Sequence, residues 1–235
     1  QAKKDARAAQ RVADDAPVPA CDDLLGCRVG VAGTFFFDDL SPGIGNAIDR
    51  ALKAVEAAGA RLAGLDLPGA AELYELYSRG GIVAPELYQF LKRSLPEWLE
   101  TLDPRVRRRV DAGRNLEAWE YIDRKATYAA LGKAAAEALR GVDVLVTPTV
   151  PITAPPMAEV NDDARYGALN MGALRNTSII SFLGLCALTL PVGLDAAGMP
   201  VGLQLVAPPF GEPKLLAIAA AFERAFAAAD LWTQE

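Results

Sequence analysis

The chemistry open to this 235-residue chain is bounded first by an absence, since it holds no histidine. That removes Ser-His-Asp and Cys-His catalysis and the usual nitrogen metal ligand, leaving Lys, Asp, Glu and Tyr for proton transfer. Ser178 and Ser181 resemble nucleophiles only superficially, because neither sits in a Gly-x-Ser-x-Gly elbow. A Ser-Lys pair needs a lysine nearby in space. Lys3, Lys4, Lys53, Lys92, Lys125, Lys133 and Lys214 all read as surface residues, none on a strand end or in a glycine-rich loop. Cys186 lies in an apolar run without a neighbouring base and reads as a packed small hydrophobe. Cys21 and Cys27 are too few for a structural zinc site, so no metal is expected. No catalytic residue is assigned.

Three polar groups remain as binding candidates. Thr147-Pro148-Thr149-Val150-Pro151 follows the apolar run from Asp143. In open α/β sheets ligands bind beyond the carboxyl ends of strands, and prolines there would stiffen a pocket wall. The competing reading is a rigid crossover. Arg175-Asn176-Thr177-Ser178 sits between apolar runs, so part of it is buried and needs partners, in a ligand or in local backbone. Arg105, Arg107, Arg108 and Arg109 read as a solvated helix face, or as one from which a single guanidinium turns inward to hold an anion. Gly43-Ile44-Gly45 opens a helix but lacks the third glycine of a dinucleotide fingerprint, so turn and capping roles are expected.

The elements that must carry these groups follow from hydrophobic periodicity. Residues 2–13 read as a helix with an alanine side, and residues 14–23, with Pro17 and Pro19, as a linker. Strand 28–32, helix 42–58 ended by Gly59, and strand 61–67 form a strand-helix-strand unit with a parallel pair. Residues 70–93 and 104–139 are predominantly helical, and 143–147 is a buried strand. Pro148, Pro151, Pro155 and Pro156 force an extended passage over a sheet edge or along a cleft. Helix 163–183, a hairpin of strands 187–191 and 201–207, and helix 212–229 complete an α/β pattern.

Composition narrows the partners. The net charge of −6 and the absence of a concentrated basic surface argue against nucleic acid. No apolar run reaches membrane-spanning length, and no membrane partner is expected. Three cysteines without a framework spacing suggest reduced thiols and a cytoplasmic location. A chain beginning at Gln1 reads as a processed product or an excised fragment.

Several segments together carry a family resemblance. The stretch Arg175-Asn176-Thr177-Ser178-Ile179-Ile180-Ser181 through Leu190-Pro191-Val192-Gly193, then Gly198-Met199-Pro200-Val201-Gly202-Leu203-Gln204, and Asp143 to Pro151 upstream, resemble the C-terminal half of amidase-signature hydrolases. Leu25 to Val31, Phe35-Phe36-Phe37-Asp38, and Asp103 to Val110 with Gly113 are similar to that family's preceding motifs. The resemblance implies part of a mixed sheet covered by helices on both faces. It implies residues 1–23 as helix and linker from a preceding half, and 24–235 as the C-terminal portion of the amidase domain. Family members break carbon-nitrogen amide bonds through an acyl-enzyme. A lysine activates one serine through a second, all from the upstream half, and the serines here lie in the wrong motif to be that pair. This half would then supply strands and pocket wall, with Arg109 facing an anionic substrate group and Thr147, Thr149, Arg175, Asn176 and Thr177 lining the pocket. The partners implied are a small-molecule amide and the upstream catalytic half, and the family mechanism implies no cofactor. A truncated sheet would expose an apolar edge and self-associate, so a homo-oligomer inactive alone is expected. The alternative is a non-catalytic binding or assembly subunit.

Overall fold

A computed structural model describes residues 21 and 23–231; the helix expected over 2–13 and most of the linker lie outside the described residues. Strand β1 (Arg28–Ala32) leads through the short α1 (Thr34–Phe37) into α2 (Ile44–Ala57) and β2 (Arg61–Leu65). Helices α3 (Ala70–Ser78), α4 (Val83–Ser94), α5 (Trp98–Thr101), α6 (Pro104–Ala112) and α7 (Ala118–Ala138) follow. Then come β3 (Val144–Pro148), α8 (Met157–Val160), α9 (Asp163–Phe182), β4 (Cys186–Leu194), β5 (Pro200–Ala207) and α10 (Glu212–Ala228).

The five strands form one sheet in the order β2-β1-β3-β5-β4. β1 pairs parallel with both β2 and β3, and the β4–β5 hairpin closes the other side antiparallel, so the sheet is mixed. The expected strand-helix-strand unit and hairpin are both present. Strand β2 stops at Leu65, two residues short of expectation, and β4 runs from Cys186 to Leu194, longer than expected, through an irregularity at Pro191/Gly193. The helical stretch 70–93 is broken where Gly80 (φ 98) and Gly81 (φ 51) take left-handed conformations.

Alternation along the strands divides the core in two. On one face α2 (Ile44, Ile48, Val55) and α10 (Ile218, Phe222, Phe226) pack on Val144, Val146, Leu203 and Leu205. On the other, α3, α7 and α9 bring Leu73, Ala135, Ile179 and Ile180 onto Leu145 and Val206. Each large apolar side chain so buried contributes about 1.5–3 kcal/mol. The second cover is incomplete. Leu188, Leu190 and Val192 of β4 pack into the first core, whereas Ala187, Thr189 and Pro191, pointing the other way, are exposed.

At the amino end of the parallel strands, Asp143 accepts from Arg28 N (2.9 Å), Arg28 Nε (3.1 Å) and Lys214 Nζ (2.8 Å). These bonds, Arg28's first, hold its carboxyl well below the usual carboxylate range. An ordinary pKa when unfolded and a depressed one when folded make the clamp's stabilisation complete above about pH 4 and lost progressively below it. We expect Asp143→Asn to cost about 1 kcal/mol at pH 7 in urea melts, with the gap to wild type narrowing as pH falls below 4.

Candidate functional site

The carboxyl end of β3 gathers most of the polar groups singled out in the sequence. Thr147 is fully buried, its Oγ1 2.9 Å from the Pro148 carbonyl and 3.3 Å from Gln204 Oε1, so one hydroxyl proton serves two acceptors. Asn176, also fully buried, projects from α9 and donates through Nδ2 to the Pro148 carbonyl (2.7 Å) and the Phe36 carbonyl (3.0 Å). Its side chain thus ties α9 to the end of β3 and to α1. Arg175 supports it, donating from Nε to Asn176 Oδ1 (3.2 Å) and from its terminal nitrogen to the Asp38 carbonyl (2.6 Å), with the guanidinium over the Phe35 ring.

From Thr147 a polar row crosses the sheet on its uncovered face. Gln204 is the register partner of both Thr147 and Thr189, and Thr189 Oγ1 lies 3.1 Å from Thr149 Oγ1. Gly202 permits this approach, since a Cβ there would sit 2.6 Å from Thr189 Cγ2 and 2.8 Å from Thr149 Oγ1. The row ends at a cavity of about 270 Å³ lined by Thr149, Ile152, Thr189, Pro191 and Asp195 among others. The proline-rich passage therefore does line a cleft. Asp195 closes the hairpin turn: it accepts from Thr153 Oγ1 (2.6 Å) and the amides of Ala197 and Met199 (2.9 Å each). The Thr153 bond leads in holding its carboxyl below the ordinary range.

Arg109 lies elsewhere. It lines a larger, mainly apolar cavity of about 550 Å³ with Tyr77, Val83, Leu87, Val106 and Met171. Arg105, Arg107 and Arg108 each have a carboxylate partner, Asp163 for the first and third and Asp111 for the second. Among the described residues Arg109 has none, and donates instead to the neutral Tyr77 hydroxyl at 3.3 Å. Arg108 and Arg109 are exposed and Arg105 and Arg107 half-buried, so the first two keep to the solvated face the sequence suggested.

Thr147, Arg175, Asn176 and Thr177, expected to line a pocket, line neither cavity; the Thr177 hydroxyl turns back to the Leu174 carbonyl within α9 (3.4 Å). Sequence reasoning passed over Gln204, Thr189 and Tyr77 as site residues. The first two carry a signal, a polar residue interrupting an apolar strand, whereas nothing local marks Tyr77. Among the described residues no lysine bonds a serine: Lys125 pairs with Glu86 and Lys214 with Asp143. Cys21, Cys27 and Cys186 are free, and burial first, then Asp143, pushes the Cys27 thiol up to about 11. No group of His, Cys, Asp and Glu suited to a metal ion occurs among the described residues. The two bonds made by Asn176 Nδ2 are inaccessible to water, so Asn176→Leu is expected to cost about 2–3 kcal/mol in urea denaturation. Thr177→Ala should change stability by no more than about 0.5 kcal/mol.

Comparison with known proteins identifies the family and the fold. The chain is 43% identical over 207 residues to a 2-amino-5-chloromuconic acid deaminase of Comamonas testosteroni, an alignment covering 88% of this chain and 45% of that protein. It is 30% identical over 219 residues to an amidase of Pseudomonas putida, covering 90% of this chain and 46% of the relative. A crystal structure of an amidase superposes with a TM-score of 0.69 at 30% identity, over 88% of this chain and 47% of that one. The allophanate hydrolase of Kluyveromyces lactis shares the fold, with a TM-score of 0.72 at 19% identity over 88% of this chain and 34% of that one. The chain therefore spans a little under half the length of the curated relatives it matches. The Amidase family matches residues 2–216, and to that family the chain belongs.

Proposed function

We propose that these residues are the pocket-forming C-terminal part of an enzyme that hydrolyses a carbon-nitrogen amide bond. The observation that carries this reading is the polar row Thr147–Gln204–Thr189–Thr149 on a sheet face whose helical cover stops at β5. A face of that kind suits a second half-domain that packs over it and brings reactive groups to its rim. The length matched in the relatives and the lack of a serine-lysine pair among the described residues favour the same assignment.

In this mechanism a serine of the upstream half, deprotonated by a lysine through a second serine, attacks the amide carbon. The C–N bond breaks as the amine takes a proton and leaves; water then cleaves the acyl-serine ester to release the acid. Thr149 and Thr189 would offer hydroxyls to the amide at the sheet end. Arg109 would hold an anionic group of the substrate, its guanidinium meeting no competing carboxylate, and the apolar wall around it suits a hydrocarbon body. The soluble partners are the amide and the upstream half, in the cytoplasm. No helix of the described residues is long and apolar enough to cross a membrane.

The chain alone is expected to release no ammonia from simple amides, and to gain turnover when produced with an upstream half bearing the serines and lysine. In that assembly Arg109→Gln should raise KM about 10- to 100-fold for a carboxylate-bearing amide and much less for a neutral one. Turnover by the isolated chain that survives Ser178→Ala and Ser181→Ala would overturn the mechanism. Absence of turnover with the upstream half in place would favour a binding or assembly subunit. By itself the chain should self-associate through the exposed face of β4, read as a mass above the monomer in light scattering. A clean monomer at high concentration would count against that.

A further inference from the structure

Residues 83–115 make a unit that packs on itself and leans on the rest of the chain through polar contacts. α4, α5, α6 and the turn Gly113–Asn115 contact one another. Gly113 is required there, because a Cβ would lie 2.4 Å from Pro85 N. Within the unit only Leu91 and Val110 are buried. A helical segment with so little buried apolar surface opens at low free-energy cost.

Its two connections are suited to bending. Gly80 and Gly81, both left-handed, join it to α3, and the extended residues Leu116 and Glu117 join it to α7. Next to the first connection the buried Tyr128 hydroxyl has no hydrogen-bond partner, and a Cβ at Gly81 would meet it at 2.9 Å. The seam between the unit and the body is the 550 Å³ cavity itself: Val83, Leu87 and Val106 lie on one side, Tyr77 and Met171 on the other. Charged and polar groups span the seam. Arg105 Nε meets Asp163 Oδ1 at 2.8 Å, Arg105 also donates to the Val160 carbonyl (3.0 Å), and Arg108 lies 3.9 Å from Asp163 Oδ2. Arg105 stacks over the Tyr166 ring (4.8 Å), and Tyr121 of α7 donates to Glu86 (2.7 Å).

We propose that residues 83–115 are a hinged flap over this cavity, pivoting at Gly80–Gly81 and latched by Asp163 to Arg105 and Arg108. Opening separates Arg109, on the flap, from Tyr77, on the body, and widens a ligand's way into this mainly apolar cavity.

Hydrogen exchange by mass spectrometry on the whole chain tests this without reference to any substrate. Amides of α4 and α6 should exchange at least about 100-fold faster than those of β3. Asp163→Asn, which leaves the Asp162 N-cap in place, should speed α4 and α6 by about threefold and leave β3 unchanged. Exchanging the charges, Arg105→Asp with Asp163→Arg, should restore most of the protection. Wild-type protein in about 0.5 M NaCl should behave like Asp163→Asn, since half-exposed pairs are screened; this keeps the test decisive if the variant folds poorly. Exchange of α4 and α6 at the rate of β3, or indifference to both the substitution and the salt, would overturn the flap.

Discussion

β3 is the strand on which the other elements depend, because all five of its residues are buried and both its neighbours are set by it. It pairs parallel with β1 on one edge and antiparallel with β5 on the other, so the sheet changes character at this strand. A strand buried on both faces must leave no backbone group unsatisfied at its end, where the ladder stops. Pro148 sharpens that requirement, since it brings a carbonyl but no N–H. The carbonyl takes Asn176 and Thr147 as donors, and the ladder resumes beyond the proline with Thr149 N bonded to the Gly202 carbonyl (2.9 Å). Asn176 is thus a structural residue at the end of a strand before it is anything else.

The two faces of the sheet answer different demands. The face under α2 and α10 is apolar from β1 across to β4, and the hairpin edge is held there by Leu188, Leu190 and Val192. On the opposite face, apolar packing gives way at Thr147 to Gln204 and then to two threonines. Burial without cover is costly for apolar groups, and polar groups that bond one another can tolerate a boundary with water. The row therefore marks where the described part of the domain ends as a packed body.

Much of this was legible in the sequence. The strands announce themselves as short apolar runs bounded by glycine and proline, and Gly59 ends α2 as its position required. Asn176 and Thr147 were legible as polar residues trapped in apolar surroundings, a pattern that demands partners without saying which. The partners of Asn176 are backbone carbonyls of two distant elements, Phe36 and Pro148, where the plainer reading expected local backbone; Thr177 follows that reading. Gln204 carried the same signal in strand β5. The Arg109–Tyr77 contact could not be read, because it joins residues 32 apart across two separate helices. Helical periodicity also hid the division at Gly80–Gly81, since α3 and α4 each look like a continuation of the other. Thr177 shows the limit of adjacency: one step along a helix from Asn176, it faces about 100° away and bonds its own backbone.

The two cavities differ in how firmly they are built, and that difference bears on how such a protein comes to choose a substrate. At the sheet end Asn176, Thr147 and Asp195 are fixed by hydrogen bonds to backbone, the hydroxyls of Thr149 and Thr189 bond each other, and Gly202 leaves no room for a larger residue. A change there disturbs the strand pairing on which the whole core rests. Around Arg109 the walls are Val83, Leu87, Val106 and Met171, all outside the two main cores and all replaceable by other apolar residues at small cost to stability. A rigid site suits the part of the reaction that every amide shares, where donors must stand ready before the charge develops. A yielding one suits the part in which amides differ. On the proposed reading, the fold assigns constancy to the end of β3 and variation to the helical seam, so substrate choice can change there while the sheet stays as it is.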